Sequence, residues 1–135
     1  MPPLLDDPGE LEIAAARDTA TNPAVLNAFA LAIIASAGPP AYAGVPDAGP
    51  DVAVARKNGA SVIAAMGELR KVAPDGGAYV SEANFFDKQW QSAYWGPNYP
   101  RLATVKKKYD PAGLFFVHNG VGSEEWSADG FTRIV

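Results

Sequence analysis

The stretch WGPNYPRLATVKKKYDPAGLFFVHNGVGSEEW, residues 95–126, concentrates Trp, Tyr, Asn, Gly and Lys. Each type suggests a chemistry. Lys106, Lys107 and Lys108 are cations of the kind that meet a phosphate. They also fall in the last turn of an expected helix, where the dipole favours cations, and a solvated last turn is the simpler reading. Gly120-Val121-Gly122-Ser123 is too short and wrongly placed for a dinucleotide fingerprint. His118 is the single histidine and the chain has no cysteine, which argues against a histidine- or thiolate-based metal set. Upstream, Tyr79-Val80-Ser81-Glu82 puts a phenol, a hydroxyl and a carboxylate in one short run. On residue type alone, Tyr79 is a packing aromatic of a strand and Glu82 a solvated strand-end carboxylate. Asn98 reads as a helix cap.

The elements that must position these groups follow from punctuation and periodicity. Residues 1–22 carry three prolines and mixed charge and read as a flexible arm, with a short helix in GELEIAAARD. TNPAVLNAFALAIIASAG predicts a helix: Asn22 caps, Pro23 takes the first position, and Gly38-Pro39-Pro40 stops it. Its Leu26, Phe29, Ala30, Ile33 and Ile34 make one apolar stripe. Residues 38–50 are a Pro/Gly loop. DVAVARKNGASVIAAMGELRKVA predicts a second helix, capped by Asp51 and with Val62, Met66, Leu69 and Ala73 on one face; Gly59 is a point of interruption. AYVSE, after the turn at Pro74–Gly77, predicts a short strand. A helical turn is expected around Trp90. NYPRLATVKKKYD predicts a third amphipathic helix, with Asn98 as cap and Leu102, Val105 and Tyr109 inward, and LFFV a final strand-like run. The expected class is α+β, with about three amphipathic helices and two or three short strands. The expected boundaries are an arm over 1–22, a helical segment over 23–75 and a terminal segment over 76–135. Two short strands do not make a sheet that is stable alone, so the chain reads as a piece of something larger.

Bulk properties narrow the function classes. Hydrophobic residues are 48% and charged residues 19% of the chain, a globular composition. A net charge of -4 argues against a nucleic-acid surface, which needs clustered Lys and Arg. No apolar run is long enough to span a bilayer, and the first residues are acidic where a signal peptide is basic. The chain reads as soluble and without a membrane partner. Its compartment stays open, with secretion following if a full-length protein carries a signal peptide.

Three segments, GGAYVSEANFF, WQSAYWGPNYPRLATVKKKYDPAGLFF and GVGSEEWSADGFTR, resemble the C-terminal end of the berberine bridge enzyme-like FAD-linked oxidases, within the vanillyl-alcohol oxidase-type flavoproteins. The family's closing pattern is met in order by Tyr79, Glu82, Trp90, Gly96, Asn98, Tyr99, Arg101, Leu102, Lys106, Lys108, Asp110, Pro111 and Phe115. The pattern covers about residues 76–126; residues 23–75 then correspond to the end of the substrate domain.

The resemblance implies roles. Glu82 is the proton-handling base or a substrate hydrogen-bond partner, and Tyr79 orients the substrate. Ser81 stands where many members have Asn, a shorter group with fewer donors and acceptors, so a flavin contact there is altered. Asn98 and Tyr99 lie on the FAD side, with Ser81 as a further cofactor contact. The implied reaction moves a hydride from a small-molecule substrate to FAD, with reoxidation by O2 to H2O2. The FAD-binding half that such enzymes need is not among these residues. The chain therefore reads as a fragment, as a remnant open reading frame, or as one half of a split enzyme whose FAD-binding half is encoded elsewhere, inactive in isolation. The rival reading is a catalytically silent module or interaction subunit. A fragment exposes a large patch around Trp90, Trp95 and Phe115, whereas a self-sufficient module buries it.

Overall fold

Asp51 gives the clearest example of local sequence making local structure. Its carboxylate accepts from the Val54 backbone N–H at 3.0 Å and starts α2, Val52–Val72. The structure, a computed structural model, describes residues 8–42 and 44–135; residues 1–7, the first part of the expected arm, lie outside them. Its helices are α1 Pro8–Arg17, α2, α3 Trp90–Trp95 and α4 Tyr99–Tyr109, joined by short 3-10 turns. The described residues fall into two units: residues 8–28 with Gly76–Val135, and Phe29–Asp75.

The Phe29–Asp75 unit is mostly α2. Gly59 does not interrupt it, and Val62, Met66 and Leu69 are half-buried on one face as the spacing predicts, while Ala73 is exposed. The helix expected over TNPAVLNAFALAIIASAG does not form. Asn22 caps a single 3-10 turn, Pro23–Asn27, and Ala28 already has extended backbone. Beyond it Phe29 is fully exposed, and Leu31 and Ile33 are exposed as well. An apolar stripe stabilises a helix only where there is a surface to bury it, and here Phe29, Ala30 and Ile33 of the stripe stay exposed.

The other unit corrects the α+β expectation. Among the described residues there is no sheet, and a lone antiparallel bridge joins Trp126 to Arg133. The two expected strands fail because their backbone donors are engaged elsewhere. In AYVSE, the Ala78 N–H goes to Ala93 O of α3 at 2.8 Å, and Val80–Glu82 winds into a 3-10 turn. In LFFV, the N–H groups of Leu114 and Phe115 both go to the Asp110 carboxylate, at 2.8 and 3.0 Å. A side chain that takes the backbone donors competes directly with a ladder. The class is helical.

Packing in this unit centres on α3, whose Trp90 and Tyr94 are 7% and 5% exposed. Trp90 meets Tyr99 of α4 edge-to-face, with ring centroids 5.5 Å apart, a favoured aromatic geometry. On α4, Leu102 is half-buried as expected, but Val105 and Tyr109 are exposed. Asn22 ties the N-terminal segment to α3: its amide donates to Ala93 O at 2.8 Å and to Ser92 O at 3.3 Å, and its Oδ1 accepts from Ala24 N. No helix among the described residues is long and apolar enough to cross a membrane.

Candidate functional site

Tyr79, Ser81 and Glu82 are brought together on one turn. Tyr79 has extended backbone and leads into Val80–Glu82, closed by Glu82 N–H to Tyr79 O at 3.0 Å. All three side chains are exposed. The turn carries a phenol, a hydroxyl and a carboxylate, all exposed and none enclosed.

The loop that follows is held from below. The Tyr94 hydroxyl donates to Asn84 O at 3.1 Å, and the buried Asn119 amide donates to Phe85 O at 3.0 Å. His118 Nε2 lies 2.9 Å from the same Phe85 oxygen, and its ring stacks on Phe85 at 3.8 Å and 17°. Asn84 closes the loop on itself, its Oδ1 accepting from Phe86 N at 3.0 Å. His118 is thus a packed histidine. Asn119, held at a φ of +56°, had no spacing signal; a left-handed Asn after an apolar run is its sole trace in the sequence.

Asn98 and Tyr99 stand at the start of α4, apart from that turn in their hydrogen bonding. Asn98 makes no side-chain cap. Its amide instead donates to Thr19 O at 3.1 Å and Thr21 O at 2.9 Å. The Tyr99 hydroxyl donates to Glu124 Oε1 and accepts from Gly122 N at 3.2 Å. Burial first, and then the carboxylate it serves, raise Tyr99 above the ordinary tyrosine range, because both oppose a phenolate.

Past α4 lies a set of ion pairs. Lys106 bonds the Asp110 carboxylate and the Phe115 carbonyl, so of the three lysines it is the one withdrawn from solvent. Glu125 is shared between Lys107 at 2.8 Å and Arg133 at 2.7 Å. These groups line a cleft of about 250 Å³ with Gly122 and Trp126. None of Tyr79, Ser81, Glu82, Asn98 or Tyr99 lines it, and its volume is below the roughly 300–1,000 Å³ usual for small-molecule pockets. Its cations already carry carboxylate partners. Among the described residues no group of three or more His, Asp or Glu is arranged to hold a metal ion.

Against this geometry the comparisons are informative. Residues 78–122 match the family described as Berberine and berberine like. A protein of Arthroderma benhamiae named an uncharacterized FAD-linked oxidoreductase is 49% identical over 65 residues, covering 48% of this chain and 11% of that protein. The VAO-type flavoprotein oxidase VAO615 of Thermothelomyces thermophilus is 48% identical over 61 residues, 45% of this chain and 11% of its own length. The FAD-linked oxidoreductase ZEB1 of Gibberella zeae is 50% identical over 62 residues, 46% of this chain and again 11% of that protein. No solved structure matches. Residues 78–122 are therefore similar to the segment described as Berberine and berberine like, in a stretch shared with proteins named as FAD-linked oxidoreductases. The matched region spans about 11% of the length of these relatives.

Proposed function

We propose that this chain supplies one wall of the active site of an FAD-dependent oxidoreductase, corresponding to the C-terminal portion of such an enzyme. The observation that carries the reading is the family segment over 78–122, within which Tyr79, Ser81 and Glu82 share one exposed turn. An open turn with three polar groups suits a surface completed by another body. It does not enclose a dinucleotide, so the FAD-binding half is the required partner.

In the completed site FAD supplies the hydride acceptor, with O2 as the terminal oxidant giving H2O2. Glu82 takes the proton from the substrate hydroxyl or amine as the C–H bond is oxidised, which requires reach first and a tuned pKa second. The Tyr79 hydroxyl orients the substrate by a hydrogen bond. Ser81 offers a short donor on the cofactor side. Asn98 and Tyr99 support that side by fixing the start of α4, since their polar groups already tie α4 to Thr19, Thr21, Gly122 and Glu124.

The test is anaerobic single-turnover flavin reduction in the complete enzyme. Glu82→Gln should slow reduction by about 10²–10⁴-fold, the usual contribution of a general base, with flavin content unchanged. An unchanged reduction rate would remove Glu82 from proton handling.

A further inference from the structure

Asn119 is followed by Gly120, and an asparagine–glycine pair is chemically self-reactive. With no Cβ in the way, the glycine nitrogen can approach the asparagine Cγ and displace its amide. In this chain both reacting groups are tied up. Asn119 is 9% exposed, and its amide donates to Phe85 O at 3.0 Å. The Gly120 N–H donates to Val117 O at 2.8 Å. Asn119 is held at a φ of +56°, a left-handed conformation that asparagine adopts more readily than most residues. Gly120 is equally fixed, since a Cβ there would lie 2.9 Å from the Val117 oxygen. The turn thus requires both members of a reactive pair and shields them only while it is closed.

What closes it is the Asn84–Asp87 loop. Tyr94 Oη donates to Asn84 O at 3.1 Å, and the His118 ring stacks on Phe85 with Nε2 2.9 Å from Phe85 O. We propose that Asn119–Gly120 is a deamidation site gated by this loop: release of Phe85 O frees the Asn119 amide to react, and the reaction makes the release permanent. The Gly120 nitrogen bonds to Asn119 Cγ as the Cγ–Nδ2 bond breaks. The glycine N–H proton passes to solvent, and a proton from solvent leaves on the departing ammonia. Water then opens the cyclic imide at either carbonyl, giving aspartate or isoaspartate, with nothing oxidised or reduced. Either product exchanges the amide donor for a carboxylate, which accepts only. It cannot donate to the Phe85 carbonyl, so oxygen faces oxygen and closure of the loop is opposed. The proposal stands apart from the flavin reading.

The test is peptide mapping by mass spectrometry of the 135-residue chain kept in mildly alkaline buffer, folded and in urea, with aspartate and isoaspartate counted at position 119. The folded chain should deamidate there about 10-fold more slowly or less, because reaction waits on local opening. Tyr94→Phe and His118→Ala each remove one hold on the loop. Each should speed the folded-state reaction by about 3-fold or more relative to its own rate in urea. Should Tyr94→Phe lose its circular dichroism, His118→Ala decides. Asn119→Asp should speed amide hydrogen exchange at Phe86 and Asp87, whose N–H groups bond to Asn84. Equal rates in the folded chain and in urea overturn the shielding. Unchanged relative rates in the folded variants overturn the gate, and unaltered exchange in Asn119→Asp overturns the permanence.

Discussion

Asn22 and Gly96 lie so close that a Cβ on Gly96 would sit 2.7 Å from Asn22 Oδ1. Gly77 approaches the same side chain from elsewhere, where a Cβ would sit 2.8 Å from Nδ2. Two glycines thus make the slot that lets a buried asparagine reach the end of α3. Gly96 also has a φ of +53° with ψ of -137°, a conformation that suits glycine alone.

Gly96→Ala should therefore lower the stability of this unit by about 1–3 kcal/mol from backbone strain, with the displaced Asn22 adding to it. Asn22→Ala loses two donated bonds and should cost about 1–3 kcal/mol. Because the two share a contact, the double variant should be less destabilised than the sum of the singles. Urea unfolding midpoints of the four proteins decide it. Strict additivity would mean that the slot is not formed.

Acid should loosen the end of the chain before its centre. The Lys106 ammonium, and then the N–H groups of Phe115 and Leu114, hold Asp110 below the ordinary 3.8. Lys107 and then Arg133 hold Glu125 below the ordinary 4.5. A depressed folded-state value gives stability that is present above the unfolded pKa and is lost as pH falls through the folded one. The loss should run from about pH 5 downward. Asp110→Asn should flatten that part of the curve of melting temperature against pH; an unchanged curve would mean the Lys106 contact does not persist in solution.

At the alkaline end the sign reverses. Burial raises Tyr94, and burial with the Glu124 contact raises Tyr99, both from an ordinary 10.0. The stability this gives is present below pH 10 and is lost as pH rises beyond it, when the unfolded phenols ionise first. Ultraviolet titration should show Tyr94 and Tyr99 ionising above the ordinary tyrosine range. Tyr99→Phe should remove one of these two late-ionising groups. Absence of any late-ionising phenol would contradict the packing around Trp90.

The parts of the fold legible in the sequence are those decided within a turn or two of the chain. The Asp51 cap and the span of α2 follow from neighbours, and so do the short helix at Trp90 and the helix through the three lysines. The strands expected over AYVSE and LFFV do not form, and the sequence did not show it, because Asp110 and Ala93 take the backbone groups that a ladder needs. The helix expected after Asn22 does not form either, with Phe29 and Ile33 left exposed. Asn98 has the residue type and position of a cap, yet its amide reaches Thr19 and Thr21, which a local pattern does not register. In the site, Tyr79, Ser81 and Glu82 stood out through the family pattern, and the structure places them on one turn. Asn119 and Glu124, which hold the neighbouring loop and Tyr99, act through contacts 34 and 25 residues away and left no mark in spacing.

The central claim is that these residues are one wall of a flavin site and require a second body to complete it. The most direct measurement is flavin retention after desalting, for the full chain mixed with FAD and for the chain combined with a separately produced FAD-binding half. The account predicts a visible flavin band that stays with the complex and leaves the chain alone. A band retained at equal molarity by the chain alone would contradict it, because the exposed turn at Tyr79–Glu82 would then be part of a complete cofactor site.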